Sequence, residues 1–98
     1  MTPIIINAHI QAAPGHEKEL ESELHALVAP SRKEPGVLVY ELHLDPEHPG
    51  SFMFYEKFAS QAALDQHLVA PYLEHFRSYL KANNPIAAQT VTRWSSFA

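Results

Sequence analysis

The stretch ALDQHLVAPYLEHF, residues 63–76, sets His67, Tyr72 and His75 among aliphatic and aromatic side chains and places Pro71 in their midst. Two imidazoles and a phenol on an apolar segment can bind a metal, move protons or fill a core. Helical metal sites favour His pairs about four residues apart. His67 and His75 are eight apart, so they leave a helix on different faces even without the proline. The chain has no Cys and no carboxylate at a fitting third position, so no metal is expected. His67 ends the first helical run one turn before the proline, where a side chain can be aimed into a cavity. There it can serve as a base near neutral pH, or it can be a plug bonded to a backbone carbonyl freed by the break. Tyr72 is a candidate cleft residue, and His75, beside Glu74, reads as a surface residue or as one that supports the site from behind.

Three more polar residues interrupt apolar surroundings. Asn7 and His9 lie on one side of IIINAHI, whose other side, Ile4, Ile6, Ala8 and Ile10, is uniformly apolar. Polar groups in mid-strand cost free energy unless partnered, so these two either bond to neighbouring strands or contact a substrate. Glu56 stands in the aromatic run SFMFYEKF. It can orient His67 or bind a substrate hydroxyl, but an ion pair with Arg32, Lys57 or Arg93 is the expected role. Tyr40, Phe54, Phe58, Phe76, Tyr79 and Trp94 are expected in the core or an interface, some of them walling a cleft.

Spacing defines the elements that must position these groups. PIIINAHIQA (3–12) is extended, β-branched and ended by Pro14-Gly15. In HEKELESELHALVA (16–29), Leu20, Leu24, Leu27 and Val28 form an amphipathic helical stripe. Glu17 and Glu19 suit its first turn, and Pro30 should kink or end it. VLVYELHL (37–44) and SFMFYEKF (51–58) flank the turn cluster DPEHPG as a hairpin. Ser60 is expected to cap a short helix over 61–68. Beyond Pro71, Tyr72, Leu73, Phe76, Tyr79 and Leu80 resume helical spacing until NNP (83–85), and IAAQTVTRWSSF (86–97) is a fourth strand.

The order βαββαβ predicts an α+β fold, a ferredoxin-like four-stranded antiparallel sheet with both helices on one face. Strand two should turn Leu38, Tyr40, Leu42 and Leu44 to one side and Val37 and Val39 to the other. Strand three should set Phe52, Phe54 and Phe58 against Met53 and Tyr55. Both faces then read as largely apolar, although two helices cover only one. An identical sheet would cover the other, so a homodimer, a dimeric α/β barrel, is expected.

The 98 residues, 46% hydrophobic and 18% charged, fit a single globular domain over 1–98. The absence of Cys excludes disulfides, thiol catalysis and Cys-ligated clusters. A net charge of −4 argues against nucleic acid or an anionic membrane as the main partner. RNA-recognition domains share the topology, but their third strand wants a basic residue and Gly before the first aromatic and a small residue between aromatics. Here Gly50-Ser51 precede Phe52, and Met53 follows it. MTPIIINAHI has no basic flank and too short an apolar run for a signal peptide or membrane span, so a cytoplasmic location is expected.

EPGVLVYELHLD followed by FMFYEKFASQAALDQHLVAPYLEHF resembles the antibiotic biosynthesis monooxygenase family, including its quinol monooxygenases. Gly36, Tyr40, Glu56, Phe58, Ser60, Ala63, Leu64 and His67 match that pattern in order and spacing, and Pro14-Gly15 and SRKEPG (31–36) fit it too. The resemblance spans almost the whole chain. It implies a cleft between sheet and helices lined by His67, and a cofactor-free monooxygenase that oxidises an aromatic quinol or phenol with O₂. His67 would be the base or proton shuttle, and Asn7 and Tyr72 the donors to the developing negative oxygen. His9, Phe76, Tyr40, Phe54 and Glu56 would contact the substrate. The deprotonated substrate is itself the electron donor, so the protein need supply only a dry pocket, a base and donors. The sequence agrees in lacking a P-loop, a GxGxxG and a His–carboxylate triad. Haem-degrading relatives use an Asn on the first strand with a Trp and a His near the second helix; Asn7 fits, but the single Trp, Trp94, lies on strand four. A non-catalytic stress or small-molecule-binding protein, or an isomerase, is the alternative on this fold.

Overall fold

In the computed structural model, which describes residues 2–98, strand β1 (Ile4–Ala12) leads into helices α1 (Glu17–His25) and α2 (Val28–Arg32). Strands β2 (Val37–Leu44) and β3 (Ser51–Phe58) follow, then helices α3 (Gln61–Leu68) and α4 (Pro71–Asn83), and last strand β4 (Ile86–Ser95). The strands form one antiparallel sheet in the order β2-β3-β1-β4. This is the ferredoxin-like βαββαβ arrangement, with each helical connection in two pieces. Among the described residues no helix is long and apolar enough to cross a membrane.

The helix expected over 16–29 is in fact two. α1 ends at His25, and the Leu27 N–H turns back to the Leu24 carbonyl, one residue tighter than an α-helical bond. α2 restarts at Val28 and carries Pro30 within its first turn, where a missing N–H costs no helical hydrogen bond. Leu20, Leu24 and Leu27 are still buried, so the apolar stripe survives the break. In the second connection Pro71 opens α4 as a first-turn residue, a position its fixed φ favours. Asn84, with φ of 48°, closes that helix in the left-handed conformation an Asn tolerates.

Register decides which side chains face the helices. Ile6, Ala8 and Ile10 stand beside Glu56, Phe54 and Phe52, and these in turn face Tyr40, Leu42 and Leu44 across β2. An irregularity between Val37 and Val39 shifts the start of β2. Contrary to the alternation read from the sequence, Val37 therefore pairs with Phe58 and packs against the core, while Leu38 is exposed. The other face carries Ile5, Val39, Met53, Tyr55 and Trp94 mixed with Asn7, His9, Glu41, Thr90 and Thr92. It is more polar than the apolar residues of strands two and three suggest, because Glu41, His43 and Lys57 of those strands also take this face and β1 and β4 add Asn7, His9, Thr90 and Thr92.

Candidate functional site

A cavity of about 320 Å³ lies between the helix-covered sheet face and the helices. Its floor includes Ile6, Ala8, Tyr40, Phe54 and Glu56, and its roof includes His67 of α3 and Leu73 and Phe76 of α4. Exposed Leu68, Gln89 and Val91 also line it, so the mouth lies between the end of α3 and edge strand β4. The volume suits one small ligand, near the lower end of roughly 300–1,000 Å³ for ligand sites. Three depressions are larger: two, of about 510 and 640 Å³, lie on the outer rim between α1 and β2 and hold none of the candidate groups, and one of about 350 Å³ runs along β2 and meets only Tyr40 of them.

The position of His67 follows from a close approach elsewhere. Ser60 accepts the Ala63 N–H at 3.2 Å and starts α3. Ala63 then rests on Gly36 so closely that a Cβ added there would stand 2.3 Å from the Ala63 Cβ. The Ala59 N–H donates to the Gly36 carbonyl at 2.8 Å. Residues four apart share a helix face, so the contact that seats Ala63 also carries His67 over the segment leading into β2.

There it meets a residue the sequence reading did not single out. His67 Nδ1 lies 2.9 Å from Glu34 Oε2, with the His67 side chain 3% and that of Glu34 20% exposed. The Tyr72 hydroxyl donates to the same carboxylate oxygen. With Nδ1 donating to a carboxylate, the neutral ring has Nε2 as its acceptor. The imidazole is wedged between Tyr40 and Phe58, at ring-centroid distances of 5.3 and 5.2 Å. His67 is thus satisfied by a carboxylate from a distant loop, not by a carbonyl freed at the proline. Glu34 sits in SRKEPG, before a proline that imposes extended backbone, and carries no helical or strand periodicity. Its only signal was that this hexapeptide fits the family pattern.

Other expected residues divide cleanly. Tyr40, Phe54, Glu56 and Phe76 line the cavity with His67. Tyr72 is brought to His67 through Glu34, but its hydroxyl is already committed to that carboxylate and it does not line the cavity. Asn7 and His9 are not brought there. The pleat sends them to the opposite sheet face, where the Asn7 amide donates to Met53 Sδ at 3.1 Å and to the Phe54 carbonyl at 3.2 Å. His9 is exposed on that face. His75 is exposed on α4.

Glu56 does not make the expected ion pair. Among the described residues the ion pairs are His43–Glu41, His48–Asp45 and His67–Glu34. Arg32 instead donates to the Tyr40 carbonyl and Arg93 to Gln61. Lys57 faces the opposite side of the sheet, as pleat alternation requires. Left in an apolar wall, the Glu56 carboxyl is pushed up to about 7 by burial. Burial, with the Glu56 charge added, also raises the Tyr40 phenol above its ordinary value. Among the described residues no group of three or more His, Asp or Glu is placed to hold a metal ion.

The antibiotic biosynthesis monooxygenase family model matches residues 3–79 of this chain. The crystal structure of a Pseudomonas aeruginosa protein is similar to it at a TM-score of 0.92 and 37% identity, over 100% of this chain and 97% of that one. An uncharacterized protein of Synechocystis is 34% identical over 74 residues, which are 76% of this chain but only 50% of that protein. A Mycobacterium tuberculosis protein bearing a provisional monooxygenase name is 27% identical over 79% of this chain and 75% of its own length.

Proposed function

The chain belongs to the antibiotic biosynthesis monooxygenase family, and on that premise we propose that it is a cofactor-independent monooxygenase oxidising a small aromatic quinol or phenol with O₂. The observation that carries this reading is the Glu34–His67 pair set into the wall of an otherwise largely apolar, aromatic cavity. A buried imidazole whose Nδ1 is held by a carboxylate is oriented as a base at Nε2, and the carboxylate stabilises the imidazolium that forms. Removing a hydroxyl proton turns a quinol into an electron-rich anion able to pass an electron to O₂. Phe54, Phe76 and Tyr40 give a ring the stacking surface and dryness such an anion needs. Tyr72 holds Glu34 in place; Asn7 and His9 belong to assembly instead of substrate contact. Two copies join through the uncovered sheet face, where Ile5, Val39, Met53, Tyr55 and the exposed Trp94 supply apolar area.

Purified protein incubated with a panel of reduced quinones, with oxygen uptake followed, tests the proposal. Uptake well above the uncatalysed rate, abolished in His67→Ala, is expected. Ligand binding without uptake for any member of the panel would instead make this a small-molecule-binding protein.

A further inference from the structure

The cavity holds a second titratable group that the reading above leaves idle. Glu56 is 9% exposed, lines the same cavity as His67, and has neither an ion pair nor a side-chain hydrogen bond among the described residues. A buried carboxyl without a partner is costly as an anion, and structural carboxylates are normally paired. The groups around it do not relieve it. Ile6 on β1 is apolar, Tyr40 on β2 is a phenol, and His67 on α3 is engaged with Glu34. Arg93, in the same row on β4, gives its guanidinium to Gln61. We propose that Glu56 is a second catalytic acid–base group, facing His67 across the cavity, which protonates the peroxide formed from substrate and O₂.

The chemistry balances with no further reactant, and it rests on the oxygenase reading. His67 takes the hydroxyl proton of the quinol. The anion transfers an electron to O₂, and the resulting radical and superoxide join at the ring carbon beside the oxygen, forming a C–O bond. Glu56 gives its proton to the peroxide anion. The Glu56 carboxylate then takes the proton from that same carbon, the C–H electrons form C=O, and the O–O bond breaks. The departing hydroxide collects the proton from the His67 imidazolium and leaves as water. One quinol and one O₂ give one hydroxylated quinone and one water, with both side chains returned to their starting states. Without that acid, the unprotonated adduct reverts to the semiquinone radical and superoxide, and superoxide that escapes the cavity takes protons from water and disproportionates to hydrogen peroxide and O₂. Burial keeps Glu56 partly protonated near neutral pH, as the donor role requires.

Glu56→Gln keeps the shape and removes the transferable proton. Oxygen uptake should persist in this variant, while oxygenated product per O₂ consumed falls by about 10²-fold and hydrogen peroxide accounts for the remainder. Glu56→Asp, which keeps an acid in the same wall, should recover part of the coupling. Infrared difference spectra of wild type against Glu56→Gln, which need no turnover, should show a protonated carboxylic-acid band at pH 6 that diminishes by pH 8. Unchanged coupling in Glu56→Gln, or a carboxylate band alone across that range, overturns the role of Glu56 and leaves the oxygenase reading standing. Absence of uptake by wild type with every quinol overturns both.

Discussion

Glu34 and His67 are 33 positions apart in the chain, yet the carboxylate oxygen of one stands 2.9 Å from Nδ1 of the other at the roof of the cavity. A buried imidazole N–H bonded to a carboxylate is charge-assisted, and the bond fixes both tautomer and ring orientation. Glu34→Gln can keep the hydrogen bond while losing the charge that stabilises an imidazolium. It should lower the rate of quinol oxidation by about tenfold or more with little change in stability. Glu34→Ala leaves the His67 N–H buried without a partner and should also cost about 1–3 kcal/mol. Oxygen uptake and urea unfolding on the two variants separate the charge from the bond.

His67→Ala should reduce quinol oxidation by roughly 10²–10⁴, the usual worth of a positioned general base. The fold should survive, because the removed ring borders a cavity. A large drop in melting temperature with activity per folded molecule intact would make His67 architecture instead.

Gly36 and Ala63 set the height of α3 above the sheet. A methyl at Gly36 would lie 2.3 Å from the Ala63 Cβ, so Gly36→Ala must push the helix away and stretch the Glu34–His67 bond. A loss of about 1–3 kcal/mol is expected, with a fall in turnover. Gly36→Ala combined with Ala63→Gly should recover part of the stability relative to Gly36→Ala alone, after allowing for the helix cost of the new glycine. Unfolding midpoints for the two singles and the double complete the cycle.

Burial gives Glu56 a folded-state pKa of about 7 against an ordinary 4.5. A carboxyl raised in this way binds its proton more tightly folded than unfolded. Its contribution is therefore fully present below about pH 4.5 and is lost as pH rises through 7. Glu56→Gln should accordingly be more stable than wild type at pH 8, by up to about 3 kcal/mol, and close to it at pH 4.5. Urea midpoints at the two pH values read the difference.

Light scattering at micromolar concentration should give about twice the 11.0 kDa chain mass. Tyr55→Asp, which places a charge in the middle of the uncovered sheet face, should return it to a monomer. A wild-type chain that already runs as a monomer would leave that face to water and sink the dimer.

The sequence by itself determined much of the architecture. Period-two runs separated by turn residues, and Leu20, Leu24 and Leu27 at helical spacing, specify βαββαβ through local backbone preference and burial. Ser60 as a cap and Pro71 as a helix start are equally local, since each acts on N–H groups within a turn of itself. Tyr40, Phe54 and Phe76 could be placed as cavity walls because periodicity tells which face a residue takes.

What only the tertiary structure decided is which of those faces meet. Alternation already set Asn7 and His9 opposite Ile6 and Ala8, but the packing of the helices on the Ile6 side is what builds the cavity there and leaves the two polar residues outside it. Val37 changed faces through an irregularity that no side-chain pattern announces. The partner of His67 came from an aperiodic loop, seated by the contact of a glycine with an alanine 27 residues away. Glu56 was expected to find one of three nearby cations, and the packing left it none. Ion pairs and buried hydrogen bonds depend on a few ångströms between elements remote in the chain, and that distance is fixed by packing and not by local propensity.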